Sequence, residues 1–156
     1  ISLGKHFEED KAREIIQNNI FGVDINEESV EITHLSLFLK IARKDKKLIN
    51  LENNIKCGNS LIDDKNMDAK HFFNWKEKFK QIFDDGGFDI VIGNPPYVNS
   101  KNMGAITREY LWKKNEEILT MDVDLYEIFV YSSIKNLLKE NGNFGFITPD
   151  SYFTNQ

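Results

Sequence analysis

Apolar residues alternate along this chain between two patterns: short unbroken runs and longer stretches with helical spacing. The runs at residues 20–25, 55–57, 88–92 and 143–149 read as strands, and the one at 88–92 as a strand buried on both faces. Between them, residues 8–17 predict a helix with Ala12, Ile15 and Ile16 on one side. Asn26 is a good N-cap, and Glu27 and Glu28 suit the positive end of a helix dipole. The helix they open runs to about residue 42, with Val30, Leu35, Phe38, Leu39 and Ala42 facing inward. Residues 69–83 predict a helix carrying Phe72, Phe73, Trp75, Phe79, Ile82 and Phe83, too many large side chains for one stripe, so some pack beneath a loop or on a further part of the protein. A short helix is expected near 107–115. A stronger one spans 124–138, with Leu125, Ile128, Phe129, Ser132 and Leu137 on one side and Gly142 as its cap. Strands and helices in alternation predict an α/β fold with a mainly parallel sheet.

The junctions carry the candidate chemistry. Phe88-Asp89-Ile90-Val91-Ile92-Gly93 runs into Asn94-Pro95-Pro96-Tyr97. Neither proline can donate to a ladder, and each holds the residue before it extended. A rigid loop therefore sits just beyond the carboxyl end of a strand, where open α/β sheets bind their ligands. The run at 20–25 closes on Asp24, and an acid there is placed to accept hydrogen bonds from ribose hydroxyls; a surface acid at a helix start fits the position equally. The third run, Ile55-Lys56-Cys57, leads into Gly58-Asn59-Ser60-Leu61, a turn with two polar side chains.

Composition narrows the class. A length of 156 residues, 40% of them hydrophobic, allows one domain with a core. No apolar stretch is long enough to span a bilayer, and no signal peptide is seen. Cys57 stands alone, which fits a reducing cytoplasm. His6, His34 and His71 are too scattered for metal-ligand spacing, so no metal site is expected. The net charge of −5 gives no basic footprint for nucleic acid, and the lysines near 43–47, 76–80 and 113–114 read as solvated faces.

Asparagine directly before the prolines and an aromatic directly after them match a signature of enzymes that methylate a planar amino or amide nitrogen. The chain resembles the amino-methylating class of S-adenosylmethionine-dependent DNA methyltransferases. It is most similar to the adenine-N6 enzymes of type II restriction-modification systems, including those fused to a nuclease (type IIG). The ordered set Gly22-Val23-Asp24-Ile25, Gly58-Asn59-Ser60-Leu61, Asn94-Pro95-Pro96-Tyr97 and Leu125-Tyr126-x-x-Phe129 carries the likeness across nearly the whole chain. The resemblance implies a Rossmann-like methyltransferase fold, S-adenosylmethionine as cofactor, double-stranded DNA as partner and a cytoplasmic location. It assigns Asp24 to the cofactor's ribose, Ile25 to its adenine, and Asn59 and Ser60 to the same pocket. Many members carry an aspartate where Asn59 stands. The phenylalanine of the family's Leu-Tyr-x-x-Phe stretch packs on the cofactor adenine, a role the resemblance carries over to Phe129, with Leu125 and Tyr126 as secondary candidates. The catalytic set is Asn94, Pro95, Pro96 and Tyr97. An adenine amine is a poor nucleophile because its lone pair is delocalised into the ring. The Asn94 amide oxygen and the Pro95 carbonyl would accept its two hydrogens and stabilise the positive charge that develops, as an oxyanion hole does with the sign reversed. Tyr97 offers a ring face to a base extruded from the duplex.

Parts of the family pattern are not found: the first strand with its glycine-rich loop, the last strands, a second aromatic wall and a target-recognition domain. Residues 1–156 thus read as the central part of a catalytic domain, an excerpt that opens on Ile1-Ser2, with most DNA affinity supplied elsewhere. In the family's sheet the first strand lies between those ending at Asp24 and Ile92, so two apolar edges should face a gap. They would then pair within one molecule, pair between two, or stay partly disordered. Two other readings remain. A protein glutamine-amide methyltransferase uses the same tetrapeptide, although the long connection before it and Leu-Tyr-x-x-Phe after it speak against that. A catalytically silent assembly or DNA-binding module is the other.

Overall fold

The computed structural model describes residues 2–42, 49–68, 70–116 and 123–149. The expected turn at 151–153 and the basic run at 43–47 lie outside them. The first helix, α1 (Ser2–Asn19), is longer than the expected 8–17. Its end is held by buried Asn54, whose amide donates to the carbonyls of Gln17 (2.8 Å) and Ile20 (3.0 Å).

Strand β1 (Gly22–Asp24) pairs in parallel with β2 (Ile55–Cys57), and helix α2 (Glu27–Ile41) connects them. Asn26 caps α2 as expected, its side chain accepting the Ser29 N–H at 2.9 Å. The buried face of α2 differs from the expected one. Val30 and Ile41 are buried, and His34 between them meets the Ile55 carbonyl at 3.0 Å, whereas Leu35 and Leu39 are 56% and 66% exposed. Apolar side chains surround most of this helix, so spacing alone does not select the face that meets the strands.

Strand β3 (Phe88–Gly93) pairs in parallel with β4 (Leu138–Phe146) across helix α6 (Leu125–Asn136), which opens on a capping box of Asp124 and Glu127. Two expectations fail here. The expected glycine cap is absent: the chain leaves α6 at Leu137 and enters β4 at once. The register then slips, from Phe88 opposite Leu138 to Ile90 opposite Asn143, and Asn141 takes up the slack at φ 63°. Gly142 lies under β3 instead, where a Cβ would sit 3.0 Å from the Asp89 carbonyl oxygen. Nor is β3 buried on both faces. Ile90 and Ile92 are 63% and 78% exposed, because β3 is paired on one edge only and these two residues line an open cleft shared with β1. The parallel pairs β1–β2 and β3–β4 are thus separate two-stranded sheets among the described residues.

The two pairs are joined beneath by aromatic side chains. The expected helix over 69–83 is instead two short ones, α3 (Trp75–Lys78) and α4 (Lys80–Asp84), broken at Phe79. The break lets Trp75, Phe79 and Phe83 converge on Phe88, with ring centroids 5.8 to 6.0 Å away, while Phe21 reaches both Phe79 and Phe88. Phe73, before α3, is 2% exposed and packs under the loop after β2, one of the two places open to the surplus of large side chains. Helix α5 (Ala105–Lys114) closes the other side, burying Leu111 against Leu61 and Ile128.

Candidate functional site

The carboxyl ends of β1, β2 and β3, the first turns of α6 and one side of α5 converge on a cavity of about 550 Å³. All nine residues singled out in the sequence line it: Asp24, Ile25, Asn59, Ser60, Asn94, Pro95, Pro96, Tyr97 and Phe129. They come from four separate segments spread over 106 positions of the chain, from 24 to 129. Leu125 also lines the cavity, whereas Tyr126 is buried behind it, edge-on to the Tyr97 ring at 6.1 Å. Sequence reasoning missed Thr107 and Leu111 of α5, which form a wall; nothing local distinguishes them from other residues of a polar helix.

At one end, Asp24 is the last ladder position of β1, opposite Cys57, and its side chain turns back on its own chain. Its Oδ1 accepts the Asn26 N–H at 2.8 Å. A carboxylate has about four acceptor sites, so Asp24 keeps capacity for hydroxyl donors. The end of β1 carries a negative field: burial, Glu27 and Asp24 together push the Cys57 thiol up, against Lys70. Ile25, 52% exposed, and Phe129, half-buried, supply apolar surface nearby.

The loop Gly58–Leu61 forms the floor, held from behind by the segment before α3. The Phe73 N–H donates to the Ile62 carbonyl at 2.7 Å, and the Trp75 indole N–H to the Ser60 carbonyl at 3.0 Å. Gly58 is needed because Phe73 lies against it: a Cβ there would be 2.5 Å from the Phe73 ring. Asn59 Oδ1 accepts the Leu61 N–H at 3.1 Å, which leaves its amide N–H₂ and one lone pair for a ligand.

At the far end, Pro95 is buried while Asn94, Pro96 and Tyr97 are exposed. The Tyr97 hydroxyl lies 2.9 Å from the Ile147 carbonyl and 3.2 Å from Asn94 Oδ1, and can donate to either. The tip of the loop is thereby tied to the end of β4, a tie that the Ile147 N–H reinforces by donating to the Gly93 carbonyl at 3.2 Å.

Below the cavity, Asp63 meets α5. The Tyr110 hydroxyl donates to Asp63 Oδ1 at 2.5 Å, and Lys114 Nζ lies 2.8 Å from the same oxygen. Burial works against the Asp63 charge, but the hydrogen bonds from Lys114 and Tyr110 outweigh it, and the carboxyl is held below its ordinary range. Burial, then the Asp63 carboxylate, push the Tyr110 hydroxyl up to about 12. The cavity therefore offers a carboxylate at one end, amide and carbonyl acceptors at the other, and apolar walls between. Among the described residues no cluster suits a metal ion, and no helix is long and apolar enough to cross a membrane.

Residues 18–156 match the family described as Eco57I restriction-modification methylase. The chain belongs to that family. It is 30% identical over 158 aligned positions to the type II restriction enzyme and methyltransferase RM.Eco57I of Escherichia coli, covering 90% of this chain and 15% of that protein. A putative type II restriction enzyme and methyltransferase of Methanocaldococcus jannaschii, RM.MjaORFECS2P, is 39% identical over 82 residues, 53% of this chain and 6% of that protein. The type II methyltransferase M.HincII of Haemophilus influenzae is 35% identical over 89 residues, 54% of this chain and 17% of that protein. The chain thus spans less than a fifth of the length of these relatives.

Proposed function

We propose that this chain is the central part of the catalytic domain of a site-specific DNA methyltransferase in a restriction-modification system. It would have a Rossmann-like fold and act in the cytoplasm on the exocyclic N6 amine of adenine in double-stranded DNA. One observation carries the reading: the nine residues that the amino-methyltransferase pattern singles out line a single cavity. The names of the relatives agree, since they are type II methyltransferases and two are also restriction enzymes. A target-recognition domain and a fused or associated nuclease are the partners this reading expects.

The cavity fits S-adenosylmethionine. Asp24 has acceptor sites for a pair of ribose hydroxyls, Ile25 and Phe129 offer apolar surface for a flat base, and Asn59 and Ser60 supply polar groups at its rim. When bound, that cofactor supplies an electrophilic methyl group. The protein's part is to hold the acceptor nitrogen. Asn94 Oδ1 and the Pro95 carbonyl each accept one amine hydrogen, which favours a pyramidal nitrogen and stabilises its growing positive charge. The paired prolines keep both acceptors fixed and add no competing N–H. The Tyr97 hydroxyl yields Asn94 Oδ1 to the incoming amine and keeps the Ile147 carbonyl, while its ring face takes the extruded base.

The test is labelled methyl transfer by the full-length protein, with DNA and protein acceptors compared and the labelled nucleoside identified after digestion. N6-methyladenine is the expected product. Asn94→Ala should lower the rate by about 10²–10³ while cofactor binding persists, by analogy with loss of one oxyanion-hole donor. Label on glutamine of a protein, or no transfer at all, would replace this reading with one of its two rivals.

A further inference from the structure

Helix α5 is an unusual wall for a ligand site. It has ten residues, opens at Gly104 with no side-chain cap, and carries Ile106 73% exposed. A helix of that length has little stability of its own, so tertiary contacts must place it. Its apolar contact centres on Leu111, 1% exposed against Leu61 and Ile128, with Tyr110 and Trp112 packed beside it. Among the described residues its side-chain polar contacts to the rest of the chain gather at Asp63, 47 positions earlier than Tyr110, and at the nearby Leu61 carbonyl.

The geometry there is two-way. The Tyr110 hydroxyl donates to Asp63 Oδ1 at 2.5 Å and accepts the Asp63 backbone N–H at 3.3 Å. Lys114, one turn on, places Nζ 2.8 Å from the same carboxylate oxygen and 3.3 Å from the Leu61 carbonyl. Its ammonium also lies 5.7 Å from the Tyr110 ring centroid. Asp63 lies two residues beyond the floor loop, and Tyr110 is the neighbour of Leu111 in the wall. The cluster therefore fixes the distance between floor and wall. It touches neither Asn94 nor Pro95, which sit on the loop after β3.

We infer that Asp63, Tyr110 and Lys114 are positioning residues that clamp α5 onto the floor loop and so set the affinity of the cavity for the cofactor, leaving the methyl-transfer step to the Asn94 loop. This rests on the cavity being the cofactor site. Loss of the clamp lets the wall drift from the floor, so a ligand must restore the closed arrangement as it binds. That cost falls on binding and is the same in ground and transition states.

Steady-state kinetics of the full-length enzyme test this with Asp63→Asn, Tyr110→Phe and Lys114→Met. Asp63→Asn should raise the KM for S-adenosylmethionine by about tenfold, the scale of one lost charge-assisted hydrogen bond, with kcat at saturating cofactor within about twofold. Tyr110→Phe, which removes one oxygen and keeps the ring, should show the same split with a smaller rise. Adding it to Asp63→Asn should cost little more, because Tyr110 acts through Asp63. An unchanged KM in both single variants, or a fall in kcat with KM unchanged, overturns the clamp. If Asp63→Asn does not fold, Tyr110→Phe and Lys114→Met decide the matter alone. Asp24→Ala is the separate control: cofactor affinity untouched in that variant would refute the cofactor site itself, not the clamp.

Discussion

Gly58→Ala is the substitution whose outcome the packing defines most sharply. The added Cβ would lie 2.5 Å from Phe73 Cδ2, 2.8 Å from its Cβ and 2.9 Å from its Cγ. Phe73 cannot swing away, being 2% exposed with rings of Trp75 and Phe79 at 5.2 and 5.9 Å. Two effects oppose each other. Alanine reduces the freedom of the unfolded chain, which stabilises by about 0.4–1 kcal/mol where the backbone tolerates it. Overpacking a filled core costs about 1–3 kcal/mol, and three atoms inside 3.0 Å put this site toward the upper end. The net loss should be about 1–2 kcal/mol, or roughly 2–8 °C in the melting temperature of a domain this size. The floor loop moves with Phe73, so cofactor affinity should fall too. Thermal unfolding and cofactor titration of the Gly58→Ala protein measure both. Phe73→Leu in the same protein should recover part of the loss by making room, a non-additive pair. Stability within about 0.5 kcal/mol of wild type, the usual range for substitutions away from such features, would show that the ring relaxes freely and that the glycine serves no packing purpose.

Tyr97→Ala should lose about 1–3 kcal/mol of base stacking, read by a fluorescent adenine analogue at the target. Tyr97→Phe keeps the ring and loses only the contacts to Ile147 and Asn94, so its rate should stay within about tenfold of wild type. The Asp63 clamp should hold across a wide pH range. The Asp63 carboxyl is depressed in the folded state, so its contribution is present above the ordinary 3.8 and is lost as pH falls through the folded value. Tyr110 is raised, so its contribution is intact below the ordinary 10.0 and disappears as pH rises toward about 12, which ultraviolet titration of the tyrosines checks.

Local signals in the sequence were the ones that survived. The three strands ending near the cavity, the Asn26 cap and the helix opening at Asp124 follow from residues within a turn of each other. The nine expected site residues also meet in one cavity, because each of their segments lies directly after a strand or near a helix start, where topology forces convergence. What escaped depends on distant partners. The inner face of α2 was decided by β2 and α1, not by its own spacing. The break at Phe79 was decided by Phe88 and Phe21, and the early start of β4 by the ladder that β3 offers. Thr107, Leu111 and the Asp63 cluster join positions about fifty residues apart, for which a single sequence holds no signal.

The cleft between the two strand pairs decides how the 156-residue chain should behave by itself. Its expected edges are present, and within one molecule they do not pair: β1 and β3 belong to separate sheets, and about 550 Å³ opens between them. Val23, Ile90 and Ile92 line that opening. Unpaired backbone groups beside apolar side chains recruit further strands. Each isoleucine buried in such a contact contributes about 1.5–3 kcal/mol, which adds to the backbone hydrogen bonds of the new ladder. The chain alone should therefore self-associate, and Ile92→Lys, which sets a charge on an edge 78% exposed, should weaken that association by tenfold or more. Sedimentation measures this directly. Cofactor binding by the isolated chain should be very weak, because Asp24 ends β1 and Asn94 follows β3, and among the described residues no strand lies between the two to fix their separation. Calorimetry decides the point: micromolar affinity for S-adenosylmethionine in a monomeric sample would mean that the cavity is already rigid without a bridging strand, and the argument from the open edges would fall.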